Sequence, residues 1–246
     1  MDPLAPLVDL PGVSDGVAAA RTAVDSLIGH RVLRRRSADV SAESSLRGAW
    51  VSAVLAGSSA TQAEVRSGEA SSDSIVQGAL RVQAAIPTLT DTWTRAPRQA
   101  LARLHALAAA DLVADADLLG RPSAEPGVAD RLDGLASVLG TTSAPAVVVA
   151  AIVHGELLSL DAFAPASGVV ARAAVRLTLI ERGLDLKSLV VIEAGHRDLG
   201  DAYATALEAY RAGTPDGVAE WLRHCAEAVV AGARESMAIC EAIQRG

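Results

Sequence analysis

Between Ala151 and Gly183 the chain reads AIVHGELLSLDAFAPASGVVARAAVRLTLIERG, and this stretch limits the fold more than any other. Ile152, Val153, Leu157, Leu158 and Leu160 form one apolar run. Asp161, Pro165, Ala166, Ser167 and Gly168 then interrupt the pattern. A second run, from Val169 through Ile180, ends at Gly183, a residue type suited to stopping a helix. The spacing predicts helix, tight loop, helix. The second helix is apolar around so much of its circumference that it should be buried on most sides. Its first turn opens on the loop, so several backbone N–H groups there have no intrahelical partner. Such an end can hold an anion.

The rest of the chain must surround that pair with small side chains. Half of the 246 residues are hydrophobic, yet only 2% are aromatic, so Ala, Val and Leu have to build the core. That composition predicts an all-α protein. The net charge of −7 argues against a general nucleic-acid binder, which needs clustered positive charge. Cys225 and Cys240 lie on one predicted helix, about 22 Å apart at 1.5 Å per residue, so they read as two reduced, buried thiols. No signal peptide opens the sequence and no charge-free run of membrane-spanning length occurs, so a cytoplasmic protein with no membrane partner is expected.

In chain order, residues 1–44 read as an N-terminal arm and one helix, Val13 to Ile28, with Ser14 as a candidate N-cap and Gly29 as its stop. Arg31 to Arg36 holds four arginines and reads as a solvated loop, with a contact for phosphate or an acidic partner as the functional alternative. Residues 45–246 read as one helical domain. Its expected helices are 45–58, 74–85 (ended by Pro87), 96–118, 128–139, the central pair, 184–194, 201–212 and 217–243. Gly57 to Ser74 reads as a loop with a short turn, and His105 and Trp221 as core residues. His196, near Asp198, is placed in solvent at a helix start.

The central stretch resembles the signature region of the Fic (Fic/Doc) family, which carries H-P-F-x-[DE]-G-N-G-R-x-x-R between two helices. Laid on Asp161 to Arg172, that pattern matches at Phe163, Gly168 and Arg172. The family histidine falls on Asp161, the metal-binding acid on Pro165, the asparagine on Ser167 and the first arginine on Val169. The flanks AAIVHGELLSLDAF and ARAAVRLTLIERGL are similar to the family, as are ARLHALA around His105, DAYATALEAYRAG with Tyr203 and Leu207, and GVAEWLRHCAEAV. The resemblance implies a Fic-like helical domain with an extra N-terminal helix. It also implies an inhibitory motif, [ST]-x-x-x-E-[GN], whose glutamate would hold the second motif arginine. The nearest match here is Ser52 to Gly57, with Ala56 at the glutamate position. The family's β-hairpin flap falls on Leu119 to Gly127, which has little strand-forming sequence.

Adenylyl transfer needs a base, a metal on the phosphates and donors for their charge. Asp161 is a weak base near neutrality, Pro165 has no ligating side chain, and Val169 removes a cation. The expectation is therefore a pseudoenzyme, with no catalytic residue and no metal site, acting through protein or ligand binding. Two alternatives stand beside it: a divergent nucleotidyl- or phosphotransferase, and a nucleotide or phosphate sensor. Ser167 as helix cap, Gly168, and Arg172 and Arg176 four residues apart form the candidate site for residual ATP or phosphate. A homodimer and a protein partner are implied by the resemblance.

Overall fold

The central pair forms as the spacing predicts. α7 spans Ala146–Ser159 and α8 spans Ser167–Glu181, with Pro145 opening α7. The computed structural model describes residues 2–245 and is helical, with no strand among them. The preceding helices are α1 (Val13–Ile28), α2 (Leu33–Leu55), α3 (Gln62–Ser67), α4 (Ser74–Arg95), α5 (Pro97–Ala108) and α6 (Val128–Thr141). After the pair come α9 (Ile192–Asp198), α10 (Ala202–Arg211) and α11 (Pro215–Arg245). None of these helices is long and apolar enough to cross a membrane.

α8 is the axis of the molecule. Ser167 and every residue from Val169 through Leu179 are buried, because α7, α4, α5, α2 and α9 enclose it. One face joins a cluster with Ile86, Trp93 and Leu104 from α4 and α5. Val175 and Leu179 join a second cluster, with Leu27, Val229 and Ile239 from α1 and α11. A third cluster centres on Trp221, which is fully buried and donates its indole N–H to the Ala151 carbonyl (2.8 Å). With so few aromatics, close backbone approach supplies the contacts that large rings would otherwise make.

Several boundaries differ from the sequence expectation. α4 continues through Pro87 to Arg95. The proline forfeits a helix hydrogen bond, but Leu89 and Trp93 beyond it are buried, and each contributes about 1.5–3 kcal/mol. α3 lies inside the segment expected to be a loop; its start is a capping box, Thr61 with Glu64. α5 stops at Ala108 rather than Leu118, α9 begins at Ile192 rather than Leu184, and the arm contains a 3₁₀ turn at Ala5–Asp9. Ser14 does not cap α1; Gly12 occupies the N-cap with φ 76° and no side-chain bond is made there. The arginine run is not a loop. Arg34 to Arg36 lie in α2, where Arg36 bonds Asp39 (2.7 Å) and the Ile243 carbonyl (2.9 Å). Arg31 donates to Gln244, so two cations of the run brace the negative end of the α11 dipole.

Candidate functional site

The loop joining α7 to α8 is held from three directions. The Phe163 amide donates to the Ser167 hydroxyl (2.9 Å), the Ala166 amide to the Phe163 carbonyl (2.9 Å), and the Ser123 amide to the Ala162 carbonyl (2.8 Å). The buried Phe163 ring lies 5.5 Å from the ring of His105 on α5. His105 Nδ1 accepts the Gly120 amide (3.1 Å). The connector after α5, which lies where the family places its flap, is therefore pinned to the loop without forming strands. Burial lowers the His105 pKa, opposed by the nearby Ala164 carbonyl, so a neutral ring clamps the two segments.

Each sequence-predicted site residue has a definite place. Asp161 is exposed on the loop, with φ 44°, in the left-handed region that Asp tolerates better than most residues. Pro165 is exposed and Val169 is buried. Ser167 does not act as the N-cap expected of it. Ala166 is the N-cap, and the Ser167 hydroxyl accepts the Phe163 amide from within the first turn. Gly168 lies under the Arg172 side chain: a Cβ there would sit 3.0 Å from Arg172 Nη1.

Arg172 and Arg176 both leave α8 into the interior, each 2% exposed, toward different partners. Arg172 donates from Nε to the Ser52 hydroxyl (3.0 Å) and from Nη2 to the Ser52 carbonyl (2.7 Å). Ser52 lies in the last turn of α2, where its carbonyl also accepts the Ala56 amide (3.2 Å) and the dipole favours a cation. Arg176 pairs with Glu193 through Nε (2.8 Å) and Nη2 (2.7 Å), and its Nη1 donates to Ser188. Gln83 donates to the same carboxylate (2.7 Å). Gly48 makes room for this pair; a Cβ there would lie 2.5 Å from Arg176 Nη2 and 3.0 Å from Glu193 Oε2. Thus Ser167, Gly168 and Arg172 gather at the start of α8, while Arg176 belongs to a separate ionic knot.

A histidine cluster was missed in the sequence. His154 of α7, His196 of α9 and His224 of α11 are buried together. The Tyr203 hydroxyl lies 2.8 Å from His154 Nε2, and His196 Nδ1 lies 3.1 Å from His224 Nε2. Burial pushes all three pKa values down, His224 to about 4, and the Arg172 charge adds to the effect at His154 and His196. His196 is 1% exposed rather than in solvent. The available signal was that all three histidines lie on apolar helical runs. Cys225 and Cys240 are buried and unpaired, as expected. No three His, Cys, Asp or Glu side chains among the described residues are grouped to hold a metal ion. None of the five main cavities is lined by the Asp161–Gly168 loop or by Arg172.

The comparisons with known proteins bear on this arrangement. No family model matches the sequence, and no curated protein matches it. Among solved structures, a Fic family protein from Desulfovibrio desulfuricans G20 superposes over 93% of this chain and 75% of its own, with a TM-score of 0.75. The fold is a Fic fold. Sequence identity to that protein is 19%, so the likeness carries the helical architecture and not the chemistry. The Ser52–Arg172 contact joins the end of α2 to the start of α8; by sequence, Ser52 takes the serine position of the inhibitory pattern and Ala56 the glutamate position.

Proposed function

We propose that this chain is a catalytically degenerate Fic-fold protein that acts by binding a protein or ligand and does not transfer AMP. The observation that carries the reading is the state of the loop and its one remaining arginine. Asp161, Pro165 and Val169 stand where transfer chemistry calls for a base, a metal ligand and a cation. The arginine that is left, Arg172, has its guanidinium bound to Ser52.

An adenylyl donor with magnesium does not fit these residues. Pro165 offers no side-chain ligand, Val169 is buried and apolar, and no other acidic side chain stands in the loop between Ala162 and Gly168. Loss of a general base alone costs about 10²- to 10⁴-fold in rate. Loss of metal ligand and cation adds to that, because the phosphate charge is what such sites chiefly stabilise.

Calorimetric titration with ATP, ADP and AMP, each with and without Mg²⁺, tests the reading. Absence of binding at millimolar nucleotide, with no AMP transfer to any protein, is the expected result. Magnesium-independent binding abolished by Arg172→Ala would replace it with a nucleotide or phosphate sensor. Magnesium-dependent binding followed by turnover would replace it with a divergent transferase.

A further inference from the structure

Two of the three large hydrophobic side chains left exposed among the described residues, Ile28 (49%) and Leu186 (71%), line one cavity. Its volume is about 220 Å³, and it lies where the end of α1 and the start of α2 meet the segment after α8. Leu33, Leu184 and Leu189 complete its apolar walls, and Gly183 leaves one side without a side chain. The volume is below the range of small-molecule pockets, about 300–1,000 Å³. It suits a single large apolar side chain, the anchor that a few residues provide in protein interfaces.

Leu186 is exposed on a main chain that is firmly held. The Leu184 and Asp185 amides both donate to the Leu179 carbonyl (3.0 and 3.1 Å). Asp185 is itself buried, and its two oxygens accept the Leu189 and Val190 amides (2.9 and 2.8 Å). The Lys187 carbonyl accepts the Ser41 hydroxyl (2.9 Å), and the Ser188 carbonyl accepts Arg176 Nη1 (3.2 Å). A segment tied in this way presents Leu186 to water at a fixed place, so a partner meets little ordering cost at this surface.

The unpaired charge around the cavity is positive. Arg34 and Lys187 line it, are exposed, and make no ion pair among the described residues. Asp185 also lines it, but its carboxylate is occupied by the two amides. Acids that flank these segments in the chain are paired: Asp25 with Arg21, Asp39 with Arg36, Glu181 with Arg182 and Glu193 with Arg176. Two free cations thus stand beside an apolar pocket on a chain of net charge −7. A patch of that sign is complementary to carboxylates. An anionic bilayer would face a broad side of this acidic molecule, whereas a peptide meets the patch alone, within a Debye length of about 8 Å. Across Leu186 and Lys187, a second cavity is lined by Ser37, Ser41, Ser45, Thr90 and Ser188. Hydroxyls both donate and accept, which suits the main chain of a peptide leaving the pocket.

We propose that this surface docks an acidic peptide segment of a partner protein. One large aliphatic or aromatic side chain sits among Ile28, Leu184 and Leu186, and flanking Asp or Glu side chains meet Arg34 and Lys187. The proposal rests on the reading of this chain as a binding protein, and gives that reading a surface at the opposite end of α8 from the loop.

Lys187 is the sole lysine of the chain. Reductive methylation with carbon-13 therefore puts one side-chain signal at the rim and keeps its charge, while the α-amino group gives a separate signal. The probes are capped heptapeptides, Glu-Asp-Glu-X-Glu-Asp-Glu, with Leu, Phe, Trp or Ala at X. At least one of the Leu, Phe and Trp peptides should shift the Lys187 signal saturably, and the Ala peptide should bind about tenfold more weakly than that one. Leu186→Ser should weaken the anchored peptide about fivefold and leave the urea midpoint unchanged, because the side chain is at the surface. Arg34→Gln should weaken it about three- to fivefold, and added salt should do the same. No saturable shift with any anchored peptide at millimolar concentration would overturn the proposal. So would equal affinity for the Ala peptide, or undiminished binding in Leu186→Ser. A Lys187 signal that ignores the peptides but responds to phosphatidylserine vesicles, or to the concentration of the protein itself, would overturn it in favour of a membrane or a second copy. Each of these failures leaves the nucleotide titrations, which test the loss of AMP transfer, unaffected.

Discussion

Arg172, near the start of α8, is tied to Ser52, near the end of α2, by two hydrogen bonds: Nε to the hydroxyl at 3.0 Å and Nη2 to the carbonyl at 2.7 Å. The residues are 120 positions apart in the chain. The contact joins the central helix to the helix packed beside it through a charge that is almost wholly buried. A buried cation is tolerated only when its donors are satisfied.

Removing the Ser52 hydroxyl should therefore destabilise the fold without breaking it. The Nη2 bond goes to a main-chain carbonyl and survives in Ser52→Ala. The lost bond to a charged group is worth about 1.5–3 kcal/mol. Urea unfolding should show a lower midpoint at unchanged slope; an unchanged midpoint would mean that the Nε bond contributes nothing.

The Arg176–Glu193 pair makes a stronger demand. Arg176→Met leaves Glu193 buried and unpaired and should cost about 3–5 kcal/mol. Arg176→Met combined with Glu193→Met should be less destabilised than Arg176→Met alone, since no orphan charge remains. Gly48→Ala should also destabilise, because its Cβ meets Arg176 Nη2 and Glu193 Oε2. The three unfolding midpoints check the order, and a double variant weaker than the single one would contradict it.

Stability should fall on mild acidification through the histidine cluster. The folded pKa of His224 is pushed down to about 4 from 6.5, and His154 and His196 are also well below 6.5. Below pH 6.5 the unfolded chain binds protons that the folded chain does not. The stability is thus full above about pH 6.5 and is lost as pH falls toward 4, by up to about 1.4 kcal/mol per pH unit for each ring. Thermal melts between pH 7.5 and 4.5 should show this fall, and His224→Gln should flatten it by about one proton. A pH-independent melting temperature across that interval would count against neutral buried rings.

Restoring one motif residue should not restore chemistry. Asp161→His places an imidazole on the exposed loop, but Pro165 and Val169 remain, so no AMP transfer is expected. Incubation with labelled ATP, magnesium and a lysate should leave every protein unlabelled above background. Robust labelling by this single variant would overturn the account of the eroded loop.

The local signals in the chain carried the central pair, the proline that opens α7, the glycine that ends α8, and the helices around Leu132, Tyr210 and Trp221. Each of these depends on spacing and end residues within a few turns, which a linear sequence displays directly. The capping box that starts α3, Thr61 with Glu64, was missed in the sequence, where its segment reads as a loop. The flanks of the central loop, AAIVHGELLSLDAF and ARAAVRLTLIERGL, pointed to the Fic fold more than the three matches at Phe163, Gly168 and Arg172, and the superposed Fic family structure agrees with that fold.

Tertiary structure decided what depends on partners distant in the chain. α4 crosses Pro87 because the residues beyond it bury against α8 and α5, a gain that no local propensity contains. Spacing put Arg172 and Arg176 on one helix face, yet Ser52 draws one guanidinium and Glu193 the other. His154, His196 and His224 look unremarkable one at a time and become a buried cluster only when α7, α9 and α11 pack together. Helix periodicity is a property of neighbours in sequence; the pairing of a buried charge or ring is set by which helices meet, and there the packed fold chooses the partner.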